Sequence, residues 1–194
     1  METATFANIH WHDERFKYDC EARNQAVEQA CLSHFDGKNG ITIVDLGSGT
    51  GSNCLYFFEK FPFHQNWIFI EKEEKVSKYA LNRLGIEADK KGYEVIHGTN
   101  QLELKKENKS IKIKYLTDSF LNLVDLVNLD EVDLVMASAV FDLISFSQFV
   151  DFGSVLLEKR LPLFTTLNYA EMNFNSDSPS DVVFIEKYES FMNR

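Results

Sequence analysis

The sequence has few cysteines and prolines and no long apolar run. It contains three of each in 194 residues. Cys20, Cys31 and Cys54 are odd in number and lack metal-ligand spacing, which favours buried thiols in a reducing compartment over disulfides or a zinc site. No window approaches the roughly 18 apolar residues of a membrane span, and the N-terminus has no basic region before an apolar stretch. We therefore expect a soluble, cytoplasmic protein with no metal and no membrane partner.

Positive charge is also scarce. Lysine and arginine number 20 against 30 aspartates and glutamates, so the formal net charge is −10. A protein that binds a nucleic-acid backbone needs a basic face, and this composition argues against nucleic acid as a partner. The lysine-rich stretch 105–109 is short and interrupted by Glu107, which indicates a solvated hairpin turn or loop.

The chain shows no internal repeat and no low-complexity segment. Its length suits one domain, and 17 phenylalanines and two tryptophans can fill a large core. Within residues 1–194 we expect an N-terminal helical cap over 1–38, a core over 39–174 and a C-terminal helix over 175–194. Residues 15–35 have apolar side chains near helical spacing, so one helix is predicted there, packed on the sheet or covering a site.

The most informative segment is Val44-Asp45-Leu46-Gly47-Ser48-Gly49-Thr50-Gly51-Ser52-Asn53, which follows the apolar run 41–43. It predicts a strand, a glycine turn and a helix that begins near residue 52. Three glycines at alternate positions allow a sharp turn and a close approach to a ligand. Such a turn serves dinucleotides, phosphates and S-adenosylmethionine alike. No lysine follows the glycines, as a P-loop would require, and the spacing fits the dinucleotide pattern imperfectly.

The order D-L-G-S-G-T-G resembles motif I of the class I S-adenosylmethionine-dependent methyltransferases. A further resemblance, to one bacterial group of that family, is carried by residues 132–145, which read VDLVMASAVFDLIS, by DLGSGTGSN, and by an N-terminal pattern of Trp11, Arg15, Asp19, Ala22 and Arg23. It extends from about residue 11 to about residue 174. The resemblance implies a Rossmann-like three-layer α/β/α sandwich with a mostly parallel sheet.

The neighbouring segments agree with this interpretation. Residues 67–71 form a second predicted strand that ends in Glu71, where a carboxylate can accept hydrogen bonds from ribose hydroxyls. A helix is predicted over 73–84, with Gly85 as its stop. Residues 111–115 predict a third strand, and the resemblance implies that Asp118 after it contacts the adenine amino group. Residues 132–138 and 161–169 predict the fourth and fifth strands.

The resemblance implies S-adenosyl-L-methionine as cofactor. We expect the methyl acceptor to be a small molecule. The expected cofactor-binding residues lie in the glycine turn, at strand ends and in the N-terminal segment: Asp45, Gly47, Ser48, Gly49, Thr50, Gly51, Asn53, Glu71, Asp118, Ser138 and Arg23. Arg23 could instead form a surface ion pair with Asp19 at i, i+4. Asp45 could merely cap the turn. Asp142 and Tyr169 are the candidate catalytic bases, and Asp142 could instead cap the helix that follows.

The family normally adds a sixth strand and an antiparallel seventh after the fifth. Residues 181–192 predict a helix, and no strand is predicted behind it. We therefore expect a sheet without its last strands. The chain could be truncated, another chain or a second copy in a homodimer could complete the sheet edge, or the activity could be lost. Two other functions stay open: a non-catalytic methyltransferase-like binding domain that acts through a protein partner, and an NAD-dependent oxidoreductase.

Overall fold

A computed structural model describes residues 9–167 of the chain, with side chains from residue 12 onward. The helices in this range are α1 Ile9–Glu21, α2 Gln25–His34, α3 Ser52–Phe57, α4 Glu74–Lys90, α5 Leu123–Leu126 and α6 Phe146–Lys159. The strands are β1 Gly40–Leu46, β2 His64–Glu71, β3 Glu94–Gly98, β4 Gln101–Lys106, β5 Lys109–Thr117, β6 Leu134–Ser138 and β7 Leu163–Thr166.

The strands form one sheet in the order β3-β4-β5-β2-β1-β6-β7. The five strands from β5 to β7 in this order are parallel, whereas β4 pairs antiparallel with β3 and β5. Strand β1 lies between β2 and β6, so the chain leaves β1 towards one side of the sheet and later returns to the other. In open α/β sheets this reversal opens a crevice at the carboxyl ends of the strands, where ligands bind.

Helices cover both faces of the sheet and give two hydrophobic cores. One core packs Phe57 of α3 and Leu84 of α4 against Ile43 of β1. The other packs Phe152 of α6 against Val44 and Leu46. The adjacent residues Ile43 and Val44 serve opposite faces because side chains alternate along a strand. The predicted three-layer α/β/α class with a mostly parallel sheet is confirmed.

The predicted single helix over 15–35 is wrong: the segment forms two helices, α1 and α2. The break falls at Asn24, whose side-chain oxygen accepts hydrogen bonds from the backbone N–H groups of Ala26 (2.9 Å) and Val27 (3.2 Å). This N-cap satisfies backbone donors at the start of α2, and it requires the extended conformation that Asn24 adopts.

Helix α4 does not stop at Gly85 but continues to Lys90. Gly85 instead lies close to β3, because a Cβ there would lie 3.2 Å from side-chain atoms of Val95 and His97. The residue that terminates the helix is Gly92, which lies two positions after Lys90 and has a left-handed φ of +80°. The N–H of Tyr93 then returns to the carbonyl of Ala88 at 3.0 Å, as in a Schellman motif.

The lysine-rich stretch contains the end of β4, the turn at 107–108 and the start of β5, so the hairpin interpretation is confirmed. Strand β3 was not predicted, because four of its five residues are exposed and give no apolar alternation. Strand β7 is the last strand among residues 9–167. Tyr169, the predicted helix over 181–192 and any later strand lie outside the described residues.

Candidate functional site

The glycine turn connects β1 to α3 through backbone conformations that favour glycine. Gly47, Gly49 and Gly51 have φ values of +54°, +51° and +76°. A Cβ on Gly47 would lie 2.9 Å from Cγ2 of Val140, so this position has no room for a side chain. Gly51 lies at the N-cap of α3 and packs against Leu84. The turn thus brings its backbone close to the segment that follows β6.

A cavity of about 540 Å³ opens above this turn at the carboxyl ends of β1, β2, β5 and β6. The structure brings together there most of the residues that the sequence predicts for cofactor binding: Gly47, Ser48, Gly49, Thr50, Asn53, Glu71, Asp118 and Ser138. The side chain of Ser48 is buried, and its Oγ has no hydrogen-bond partner among the described residues. A buried hydroxyl without a partner is costly, so Ser48 is a candidate hydrogen-bonding group for a polar ligand in this cavity.

Two carboxylates lie at neighbouring strand ends on the cavity wall. Glu71 Oε2 accepts a hydrogen bond from Gly49 N (3.0 Å), and its Oε1 accepts one from Glu73 N (3.2 Å). Asp118 Oδ1 accepts from Ser119 N at 2.6 Å and from the side chain of Asn122 at 2.8 Å. A carboxylate offers about four acceptor positions, so both groups keep acceptor capacity for a ligand.

Asp45 and Arg23 do not line the cavity but lie beneath it, joined through Asn53. Asn53 donates from Nδ2 to Asp45 Oδ1, and its Oδ1 accepts from Arg23 Nη2, both at 2.8 Å. Ser138 Oγ donates to Asn53 Oδ1 at 2.8 Å and also lies 2.8 Å from Thr166 Oγ1. These bonds fix the orientation of the Asn53 amide. Asn53 and Ser138 line the cavity, whereas Asp45 and Arg23 do not.

Burial raises the pKa of Asp45 to about 7, although the hydrogen bond from Asn53 and the charge of Arg23 act to lower it. Its side chain is fully buried, and its Oδ2 has no hydrogen-bond partner among the described residues. Removal from water disfavours the charged carboxylate, which explains the direction of the shift. The guanidinium of Arg23 also lies over the ring of Tyr56, 4.5 Å from its centroid. The alternative ion pair of Arg23 with Asp19 is not formed. Arg23 donates to Asn53 instead, and Asp19 pairs with Arg15 at 2.8 Å.

Helix α1 forms one wall of the cavity, and none of its residues is among the predicted site residues. His12, Arg15 and Asp19 line the cavity at successive positions along one face of this helix. Burial, followed by the charge of Arg15, lowers the pKa of His12. The spacing of three and four residues is a helical signal, and the N-terminal family pattern already contained two of these residues.

Asp13 and Arg83 attach α1 to the glycine turn. Arg83 Nε lies 3.1 Å from Asp13 Oδ1, and its Nη1 donates to Thr50 Oγ1 at 3.0 Å. Tyr79 also donates a hydrogen bond to Asp13. The Arg83 guanidinium lies 4.8 Å from the ring centroid of Phe16. One arginine of α4 therefore contacts both the helix that walls the cavity and the turn beneath it.

The two candidate catalytic residues are placed differently from the cofactor residues. Asp142 lies in a short 3-10 turn after β6, and the cavity is lined there by its neighbours Val140 and Leu143 rather than by Asp142. Tyr169 lies outside the described residues. Among residues 9–167 no group of three histidine, cysteine, aspartate or glutamate side chains could hold a metal ion. No helix in the described part is long and apolar enough to cross a membrane.

The fold is similar to several solved structures. A protein from Methanococcus maripaludis, regarded as an S-adenosyl-L-methionine-dependent methyltransferase, has a TM-score of 0.52 at 11% identity, over 98% of this chain and 76% of that one. The plantazolicin methyltransferase BpumL, solved with S-adenosylhomocysteine, has a TM-score of 0.50 at 14% identity, over 96% of this chain and 62% of its own. The YcgJ protein from Bacillus subtilis matches only part of this chain, 60%, with a TM-score of 0.36 at 16% identity, and the fold assignment does not rest on it.

The chain spans less than two thirds of the length of BpumL and 38% of that of YcgJ. No protein-family model and no curated protein matches the sequence. The likeness to solved structures therefore concerns the fold alone. The features of that fold here are the parallel strand order β5-β2-β1-β6-β7 and the glycine turn after the central strand, β1. On this evidence the chain has a Rossmann-like fold, similar to that of solved S-adenosylmethionine-dependent methyltransferases.

Proposed function

We propose that the chain binds S-adenosyl-L-methionine in the cavity above the glycine turn and transfers its methyl group to a small-molecule acceptor. The observation that carries this proposal is the meeting of the turn, the unpartnered Ser48 hydroxyl and the carboxylates of Glu71 and Asp118 in one cavity. A volume of about 540 Å³ lies within the usual range for small-molecule sites.

The residues present fit the parts of this cofactor. Glu71 would accept hydrogen bonds from the ribose hydroxyls, since it ends the strand next to β1 and keeps acceptor capacity. Asp118, at the end of the following parallel strand, would accept one from the adenine amino group. Asn53 and Ser138, on the β6 side of the turn, would face the amino-acid end. Gly47 and Gly49 would let the backbone approach the ligand.

The chemistry asks little acid or base assistance from the protein. The cofactor, when bound, supplies an activated methyl group and its own leaving group. The chain's contribution would be to hold the acceptor in line with that methyl and to exclude water from the cavity. Asp45 and Arg23 would act indirectly, by fixing Asn53. Asp142 and Tyr169 stay predictions, and no proton transfer is assigned to them.

Isothermal titration with S-adenosylhomocysteine, with NADH as the control ligand, tests the proposal. We expect saturable binding of S-adenosylhomocysteine and none of NADH. Glu71→Gln should weaken binding about tenfold or more, because a carboxylate that accepts from a hydroxyl is replaced by a neutral amide. Glu73→Gln is the matched control, since Glu73 pairs with Lys75 outside the cavity, and it should change affinity less than twofold.

Each outcome has a clear meaning when circular dichroism verifies that the samples are folded. Absence of S-adenosylhomocysteine binding by the folded chain would contradict the proposal. Binding of NADH instead would favour the oxidoreductase function. Equal loss in the Glu71 and Glu73 variants would place the ligand away from this strand end.

A further inference from the structure

The cavity has two sides of different chemistry. Every described charged residue that lines it comes from α1, from residues 71–72 or from position 118. The other side, formed by Phe120 and Leu121, which follow Asp118 and Ser119 after β5, and by the segments after β6 and β7, is lined largely by apolar side chains: Phe120, Leu121, Val140, Leu143, Ile144 and Leu167. A polar cofactor is suited to the first side, which leaves an apolar surface for a second ligand.

This apolar side continues into a groove between α5 and α6. The groove has a volume of about 220 Å³ and is lined by Leu123, Val124 and Phe152 among others. Leu121 and Gln148 line both the cavity and the groove, so the two spaces are adjacent and share a wall. The one charged residue among the described lining of the groove, Asp151, is exposed.

The apolar side chains along this path are unusually accessible to water. Val124 in the groove is 55% exposed, and Leu143 at the cavity is 65% exposed. Contiguous exposed apolar surface that leads into a pocket is typical of a ligand-binding site, because covering it removes apolar area from water. A strongly charged acceptor would find few compensating partners along this path.

We infer that the methyl acceptor is a small molecule with an elongated apolar group, and that this group lies in the groove lined by Leu121, Val124 and Phe152. The inference rests on the proposed function, because it assigns the polar side of the cavity to the cofactor. Its reacting atom would lie in the cavity, and its apolar group would extend past Leu121 and Gln148 between α5 and α6.

The uncharged fluorescent probe N-phenyl-1-naphthylamine tests this inference on the full chain. Fluorescence titration in saturating S-adenosylhomocysteine should give saturable binding to one site per chain. Val124→Asp should weaken probe binding about tenfold, because a buried charge beside an apolar ligand is unfavourable. Val124 lines the groove but not the cavity, so affinity for S-adenosylhomocysteine should change less than twofold.

Leu157→Asp is the matched control. Leu157 is 81% exposed on α6 and lines neither the cavity nor the groove, so its substitution should leave probe binding within twofold. Both positions are exposed, and both variants should therefore fold. An equal effect of the two substitutions, or displacement of the probe by S-adenosylhomocysteine, would overturn the inference.

Light scattering separates a protein interface from a ligand groove. A dimer that Val124→Asp converts to a monomer would mean that the groove binds a second copy, and would overturn the inference. The proposed function is judged separately by titration with S-adenosylhomocysteine alone. Binding of that ligand without any specific probe binding would refute only the acceptor class, whereas loss of S-adenosylhomocysteine binding would refute the function.

Discussion

Asn53 donates a hydrogen bond of 2.8 Å to Asp45, and this contact connects a fully buried carboxylate to the wall of the cavity. The same amide accepts from the buried Arg23, so two buried ionisable groups are hydrogen-bonded to one neutral side chain. Buried charges without hydrogen-bond partners are strongly unfavourable. Asn53 therefore has a structural role in addition to its place beside the proposed cofactor.

Asn53→Ala should lower the free energy of unfolding by about 3 kcal/mol, because it leaves hydrogen-bonding groups of Asp45 and Arg23 buried without a partner. Urea unfolding monitored by circular dichroism measures the change. Asn66→Ala on exposed β2 surface is the control, and it should cost less than about 0.5 kcal/mol. Similar losses in both variants would mean that the network contributes little to stability.

The raised pKa of Asp45 predicts a specific dependence of stability on pH. The pKa rises from the ordinary 3.8 to about 7 in the folded state, so the folded chain holds this proton more tightly than the unfolded chain does. The contribution of Asp45 to the free energy of unfolding should therefore fall as the pH rises from about 4 to about 7, and stay level above that. At higher pH the charged carboxylate is buried at a cost.

Asp45→Asn should remove this contribution, since the amide keeps an acceptor for Asn53 and does not ionise. Urea unfolding measures the free energy of unfolding of both proteins at pH 5 and pH 8. From pH 5 to pH 8 this free energy should change in favour of the variant relative to the parent, because only the parent loses the contribution of Asp45. The difference between the two proteins cancels the titration of all other groups. An identical pH dependence in both would contradict the assigned shift of Asp45.

Gly47→Ala should destabilise the chain more than Gly92→Ala, although both glycines have positive φ. A Cβ at Gly92 meets nothing within 4 Å, so that variant measures backbone strain alone, about 1 kcal/mol. At Gly47 the added Cβ also clashes with Val140 at 2.9 Å. Thermal unfolding compares the two. Gly92→Ala should keep its affinity for S-adenosylhomocysteine, whereas Gly47→Ala should lose it. Equal affinity in the two variants would mean that Gly47 is not part of the binding site.

Arg83→Met should loosen α1 from the rest of the protein. None of the described α1 side chains is fully buried, so polar contacts such as those of Asp13 with Arg83 and Tyr79 do much to hold the helix. Methionine keeps apolar contact with Phe16 but loses the ion pair and the bond to Thr50. Amide hydrogen exchange in α1 should become faster, because weakly anchored elements open with a low free energy.

Lys78→Met is the control for this variant, since Lys78 is an exposed cation on the same helix that pairs only locally with Glu74. Its α1 exchange should match that of the parent. Unchanged exchange in Arg83→Met would show that other contacts hold α1.

Much of the site could be predicted because its residues are local to strand ends. Glu71 follows a run of apolar residues, and Asp118 follows the next parallel strand, so both were expected at the same edge of the sheet. The glycine turn was recognisable because left-handed backbone conformations favour glycine, which can be seen in the sequence. The same local signal misled at Gly85, where glycine serves close packing inside α4 rather than a helix end.

Local pattern therefore specified the order of strands and helices around the glycine turn, because apolar periodicity and turn residues act over a few positions. The burial of Arg23 against Asn53, 30 positions away, was decided only when the chain packed. So were the attachment of α1 through Arg83 and the apolar groove between α5 and α6. These features depend on which surfaces meet across the fold, and such contacts between distant segments leave no periodic signal in the sequence.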